Sequence, residues 1–218
     1  QPCEAFDAEL DGNPSERTVK RYRDFAAGGC GMIWFEGYAV GYEGKDSPHQ
    51  LMLQKENIKA NALLIRSMNE ISAKHFGTEH VPYKVLQITH SGRKTVNNQM
   101  QPYPITGSYN PFFDCTQQGE LVLASDEYIE EQIERYIETA ENALEAGFDG
   151  IDIKLAHGYF LSTLMNAFLR DGPYGGCFEN RIRAIVSITD GIRKRCGDAL
   201  HLCYRINAYD AVPYPHGW

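Results

Sequence analysis

The chain has 218 residues, of which 43% are hydrophobic and 23% charged, and its 29 acidic and 21 basic side chains leave a formal net charge of -8. That is ordinary globular composition with enough apolar residues for a real core, and the acidic balance, without any Lys/Arg-rich run, argues against nucleic acid or an anionic membrane surface as main partner. No apolar stretch approaches the roughly 20 residues of a membrane-spanning helix and the first residues lack a signal-peptide pattern, so the expectation is a cytoplasmic protein acting on a small-molecule substrate, with homo-oligomerisation left open.

Asn13-Pro-Ser-Glu-Arg-Thr-Val19 carries a helix-capping signal, and Tyr22, Phe25 and Ala26 continue it as an apolar stripe until Gly28-Gly29, glycine being the residue that most readily turns the chain past a helix end. Met32-Ile-Trp-Phe35 follows as a short buried strand. A second helix spans roughly 55–75, carrying Leu63, Ile65, Met68 and Ile71, and Tyr83-Lys-Val-Leu-Gln-Ile-Thr89 is the next strand. A polar, proline-rich segment runs over 91–124. Ser125-Asp-Glu127 then caps a helix in which Ile129, Ile133, Tyr136, Ile137, Ala140 and Leu144 recur at the spacing of one buried face, and Gly147 ends it. A strand over 150–154, a loop, a helix over 179–195 and a strand over 200–206 follow, and residues 1–3 read as a strand end.

Alternation of strand and helix predicts a parallel sheet covered by helices, either doubly wound or closed as an eight-stranded barrel. Polar side chains fall near the C-terminal ends of successive strands: Glu36 and Tyr38, Gln87 and His90, Lys154 and His157, then Arg205. Sites spread over several strand ends are the habit of a barrel, whereas an open sheet concentrates its site at one switch point. A barrel needs eight strands, and the sequence stops after the fifth.

The glycine clusters are read as turns. Ala27-Gly-Gly-Cys-Gly31 closes a helix and opens a strand, the reverse of a phosphate loop, and Tyr174-Gly-Gly176 reads as a turn before the helix at Glu179. The six cysteines (Cys3, Cys30, Cys115, Cys177, Cys196 and Cys203) form no Cys-x-x-Cys pair, and no His-x-His or His-Glu-x-x-His occurs. Reduced thiols and no metal site are expected, with His75 and His80 in surface or cap roles.

Gly150-Ile-Asp-Ile-Lys-Leu-Ala-His-Gly-Tyr159 ends an apolar strand with three polar tips. Lys154 and His157 facing one mouth would depress each other's proton affinity and could hydrogen-bond a carbonyl oxygen; Tyr159 could deliver a proton. A structural salt bridge from Lys154 to a carboxylate such as Glu36, with His157 capping the loop, accounts for the spacing equally well. Gln87 offers an amide suited to the edge of a heterocycle, and Arg205 a fixed cation for an electron-rich ring atom or a carboxylate; each could equally be a satisfied structural group.

Three signatures carry a resemblance: Gln87-Ile-Thr-His-Ser-Gly-Arg93; Gly147-Phe-Asp-Gly-Ile-Asp-Ile-Lys-Leu-Ala-His-Gly-Tyr-Phe-Leu161; and Asn166 followed by Arg170-Asp-Gly-Pro-Tyr-Gly-Gly-Cys-Phe-Glu-Asn-Arg181. Through them the chain resembles, over essentially its whole length, the Old Yellow Enzyme or NADH:flavin oxidoreductase family of FMN-dependent (β/α)8 TIM barrels. The resemblance implies that NAD(P)H reduces FMN, which passes hydride to an activated alkene such as an α,β-unsaturated carbonyl compound. It further implies that Pro2, Cys3, Glu4 and Gly37 lie against the flavin, that Gln87 holds its pyrimidine edge and that Arg205 faces its electron-rich end. Lys154 and His157 then match the carbonyl-binding pair, and Tyr159 matches the proton donor.

Two departures from the family stand out. The first member of the carbonyl-binding pair is usually histidine, and here it is Lys154, a compact and flexible charge. The chain also reads as a partial FMN-binding barrel domain over residues 1–218, about the first five βα units, without strands six to eight and most of strand one. Two alternatives stay open: a Schiff-base lyase or aldolase using Lys154 as nucleophile, and a non-catalytic barrel fragment that binds a partner through its open edge.

Overall fold

A computed structural model describes residues 4–115 and 119–217. In chain order these residues form α1 (Glu16–Ala27), β1 (Met32–Ala39), α2 (Ile58–Phe76), β2 (Tyr83–Thr89), β3 (Ile105–Thr106), α3 (Pro111–Asp114), β4 (Val122–Leu123), α4 (Asp126–Ala146), β5 (Gly150–Leu155), α5 (Phe160–Met165), α6 (Phe178–Arg181), α7 (Arg183–Cys196) and β6 (His201–Ile206), with short 3-10 turns between some of them. The main sheet runs β1-β2-β5-β6, and every neighbouring pair is parallel. Parallel neighbours joined through helices are what the strand-helix alternation predicts. The expected strand end at residues 1–3 lies outside the described residues.

The helices start and stop for local reasons. The Ser15 hydroxyl accepts from the Thr18 amide at the head of α1, and the Ser125 hydroxyl does the same for Tyr128 at the head of α4, each satisfying an otherwise unpaired first-turn donor. Gly147 ends α4 in the left-handed region, at φ 99°. The expected helix over 179–195 is two pieces, α6 and α7, that share Ile182 as end and start. The proline-rich segment hides the two-residue pair β3 and β4, and α5 occupies what reads in the sequence as a loop.

Side chains alternate along each strand and so divide the sheet into two faces. Ile33, Phe35, Leu86, Ile88, Ile151, Ile153 and Leu155 face the helices and form one core with Tyr22, Leu64, Met68, Tyr136, Ala140, Ile188 and Ile192. The opposite face carries Trp34, Gln87, Asp152 and Lys154, which make hydrogen bonds and ion pairs there instead.

β1 departs from strict alternation in one place. Its register with β2 runs Phe35 to Leu86 and then Gly37 to Gln87, so Glu36 is the extra residue of a bulge. The bulge sends the Glu36 side chain to the helix side and keeps Gly37 level with Gln87 on the polar face.

Candidate active site

Asp152 ties three strands together on the polar face. Its Oδ2 accepts from Gln87 Nε2 on β2 at 2.6 Å and from Trp34 Nε1 on β1 at 3.0 Å. One turn of the pleat further along β5, Lys154 sits level with Arg205 of β6. Lys154 Nζ lies 2.8 Å from Glu4 Oε1 and 3.6 Å from the centre of the Tyr159 ring, with the side chain only 4% exposed. The salt bridge that spacing alone allowed therefore exists, but its carboxylate is Glu4. Glu36 instead pairs with Arg21 at 2.5 Å, accepts from the Ala5 amide and contacts Tyr22, all on the helix side of the bulge.

Beyond β5 the chain turns through two left-handed residues, His157 at φ 64° and Gly158 at φ 71°. Histidine is among the non-glycine residues that tolerate this region, at some cost in strain. The turn places His157 on the wall of a cavity of about 370 Å³, shared with Arg93, Lys94, Phe113 and Asp210. It also delivers Tyr159 to the N-cap of α5, buried, with Lys154 on its ring and its hydroxyl donating to Asp46 Oδ2 at 2.9 Å.

The electrostatics of the group follow from burial and crowded charge. Burial pushes the Lys154 ammonium below the usual lysine range; Glu4 works against that shift and the Lys94 charge adds to it. The His157 imidazole is held below its ordinary value by burial, then by the charges of Lys154, Arg205 and Lys94. The expected mutual depression is thus real for His157, whereas for Lys154 the cause is burial. Burial raises the Tyr159 phenol, helped by the nearby carboxylates of Asp46 and Glu4, and burial likewise raises Asp46, opposed by its bond from Tyr159.

Some residues expected at the mouth lie elsewhere. Tyr38 is inside β1 and fully buried on the helix side, its hydroxyl donating to Asn61 of α2 at 3.0 Å. His90 is fully buried, bonded to the Tyr128 hydroxyl at 2.8 Å and accepting from the Gly92 amide, and burial lowers it to about 3, so it stays neutral and structural. Pro2 and Cys3 lie outside the described residues. Glu4 is the ion-pair partner of Lys154, and Gly37 packs so closely that a Cβ there would sit 2.7 Å from the Glu4 carboxylate.

Asp46 and Asp152 belong to the group although the sequence reading passed over both. Asp152 had a visible signal, since an acid and a lysine alternate within an apolar strand. Asp46 had none, standing in a loop 113 residues from Tyr159. Among the described residues the cysteines Cys30, Cys115, Cys177, Cys196 and Cys203 are unpaired, and no cluster of His, Cys, Asp and Glu is arranged to hold a metal. Among them, too, no helix is long and apolar enough to cross a membrane.

Comparison with known proteins agrees with this architecture. The chain is 32% identical over 215 residues to an NADH oxidase of Thermoanaerobacter brockii, covering 94% of this chain and 31% of that protein. It is 33% identical to an NADPH dehydrogenase of Geobacillus sp. (strain WCH70), covering 88% of this chain and 53% of the relative. It therefore spans between about a third and about half the length of these relatives. In fold it superposes with a TM-score of 0.77 on the Old Yellow Enzyme from Pichia sp. AKU4542, at 19% identity, over 94% of this chain and 54% of that one. A 2-naphthoyl-CoA reductase gives a TM-score of 0.80 at 24% identity, over 100% of this chain and 33% of the other. The fold is thus part of a (β/α)8 barrel wall. The model of the NADH:flavin oxidoreductase / NADH oxidase family matches residues 2–214, and the chain belongs to that family.

Proposed function

We propose that the whole protein is an FMN-dependent oxidoreductase that carries reducing equivalents from NAD(P)H to an activated alkene bearing a carbonyl group, and that this chain is part of its FMN-binding barrel domain. The observation that supports the reading best is the convergence of Lys154, His157 and Tyr159 at the end of β5, beside the polar face of the sheet. Family membership supplies the cofactor class, and the side chains present fit the ring portion of a flavin. Gln87 and Arg205 offer an amide and a guanidinium on adjoining parts of one face. At the end of β2, Thr89 Oγ1 and Ser91 Oγ are buried without a hydrogen-bond partner among the described residues, as a further polar ligand would use. At Gly37 the space beside the backbone of β1 holds the Glu4 carboxylate, which would itself stand at the ring. We assign Pro2, Cys3, Glu4, Gly37, Gln87 and Arg205 to that ring system.

Bound FMN would supply the hydride. The chain's own contribution is to polarise and protonate. Lys154 and His157 donate hydrogen bonds to the carbonyl oxygen, where negative charge develops as the double bond is reduced. Glu4 fixes the Lys154 ammonium from one side and the Tyr159 ring supports it from another. Tyr159 supplies the proton to the α-carbon. The Glu4 ion pair also weighs against an imine-forming lysine: a nucleophilic amine must shed its proton, and the carboxylate opposes the lowering by burial that would release it.

The test is the visible spectrum of the complete gene product. It should show the oxidised flavin band, bleached by NAD(P)H and restored by an α,β-unsaturated ketone. A folded protein that takes up no flavin would overturn the reading, and borohydride trapping of a carbonyl compound on Lys154 would replace it with the lyase.

A further inference from the structure

The Tyr159 hydroxyl has one hydrogen, and it is committed to Asp46 Oδ2 at 2.9 Å. A phenol donating to a carboxylate cannot at the same moment donate to a substrate carbon. Asp46 is itself placed with care. Its amide donates to Gln50 Oε1 at 3.0 Å, and Gln50 Nε2 donates to the Gly37 carbonyl at 2.8 Å, which ties the Asp46 loop to the end of β1. The other carboxylate oxygen, Oδ1, is buried with no hydrogen-bond partner among the described residues. A carboxylate with one oxygen unpaired and out of water is poorly stabilised, so its protonated form lies within reach.

We propose that Asp46 sets the direction of the Tyr159 proton: as a carboxylate it accepts the phenolic hydrogen and withholds it, and as a carboxylic acid it donates to the phenol oxygen and frees that hydrogen for the substrate. This rests on the assignment of Tyr159 as proton donor. In the productive state the Tyr159 O–H bond breaks and a C–H bond forms at the α-carbon, the O–H electron pair staying on the phenol oxygen. The Asp46 proton then passes to that oxygen, and solvent returns one to Asp46. Burial raises the Asp46 proton affinity. The charged and titratable groups around the carboxyl are Tyr159, Glu4 from the N-terminal segment, Lys154 from β5, and Lys94, 5.0 Å from the centre of the Tyr159 ring. Glu4 adds to the rise, while the bond from Tyr159 and the charge of Lys154 oppose it. Asp46 is therefore a positioning residue, acting through Tyr159.

The pH profile separates this from a structural role. In stopped-flow reoxidation of the reduced, full-length holoenzyme by an enone, the rate should fall about tenfold per pH unit above the Asp46 titration. In Asp46→Asn, whose amide donates permanently to the phenol oxygen, it should be flat over the same range. A wild-type slope retained in Asp46→Asn, or a flat wild-type profile, overturns the proposal. An unaltered rate in Tyr159→Phe would instead remove Tyr159 as donor and the reading beneath it. Carboxyl 13C NMR of the full-length protein without flavin gives a second readout. The signal lost in Asp46→Asn should titrate above the ordinary aspartate range and move further up in Tyr159→Phe, which removes the bond that favours the ionised form; an ordinary titration unmoved by Tyr159→Phe overturns the proposal as well.

Discussion

Glu4→Gln isolates the ion pair at the centre of the group. The Lys154 side chain is 4% exposed and that of Glu4 13%, so the substitution leaves an ammonium with little access to water. Breaking a fully buried pair by removing one partner costs about 3–5 kcal/mol. Here the loss should be nearer 2–3 kcal/mol, because Glu4 keeps some solvent contact and the face of the Tyr159 ring, 3.6 Å away, still supports the cation by roughly 0.5–2 kcal/mol. The loss must also depend on pH. With Glu4 gone the folded-state Lys154 pKa falls further below that of the unfolded chain, so between the two the unfolded state binds more protons and stability rises with pH. Urea unfolding with an unchanged m-value should show the full deficit near neutral pH and a smaller one near the unfolded lysine value of about 10.4. In a Lys154→Met background the same substitution should cost almost nothing. An equal cost in both backgrounds, or one independent of pH, would refute the assignment of this pair as the buried charge contact of the site.

Further outcomes follow from other contacts. His90, lowered by burial to about 3 when folded and near the ordinary value of about 6.5 when unfolded, makes stability fall as pH drops from about 6.5 toward 3, by at most several kcal/mol; His90→Gln should flatten that acid limb in a pH series of urea midpoints. Asp152→Ala removes the acceptor shared by Gln87 and Trp34 and should cost about 1–3 kcal/mol, chiefly through Gln87, which is 1% exposed where Trp34 is 40%. The same variant should alter Trp34 fluorescence in the folded protein. Gly191→Ala would put a Cβ 2.2 Å from Ile137 Cδ1 where α7 crosses α4, an overpacking of about 1–3 kcal/mol that Ile137→Val should partly relieve.

Much of the fold was legible because local physics carried it. The periodic stripe from Ile129 to Leu144, with Ser125 before it and Gly147 after it, marks α4 almost to the residue, and the continuous apolar runs mark strands buried in a parallel sheet. The missed elements lack such signals. α5 is only six residues long and is held by tertiary contacts, the Phe160 amide donating to the His90 carbonyl at 3.0 Å. β3 and β4 are two residues each, too short for any period to show. The site was legible only where its members share a strand end. Lys154, His157 and Tyr159 lie close in sequence, whereas the carboxylates that govern them, Glu4 and Asp46, come from segments 150 and 113 residues away from Lys154 and Tyr159 respectively.

Glu36 shows why alternation alone misplaced a charge. Counting in twos from Trp34 puts Glu36 on the polar face, level with Gln87, where it would be the natural partner for Lys154. The bulge inserts Glu36 as an unpaired residue and restarts the alternation at Gly37. The displaced carboxylate has a strong reason to stay on the helix side, where Arg21, Tyr22 and the Ala5 amide all converge on it. Burial raises its proton affinity, and the Ala5 amide and Arg21 pull against that rise. The same slip of one residue leaves Gly37 beside Gln87 and vacates the position that Glu4 fills, with its carboxylate 2.7 Å from where a Cβ at Gly37 would sit. The bulge, the glycine and the Lys154–Glu4 pair are thus one arrangement: a side chain at position 37 would displace Glu4, and without Glu4 the buried Lys154 ammonium would lose its paired charge.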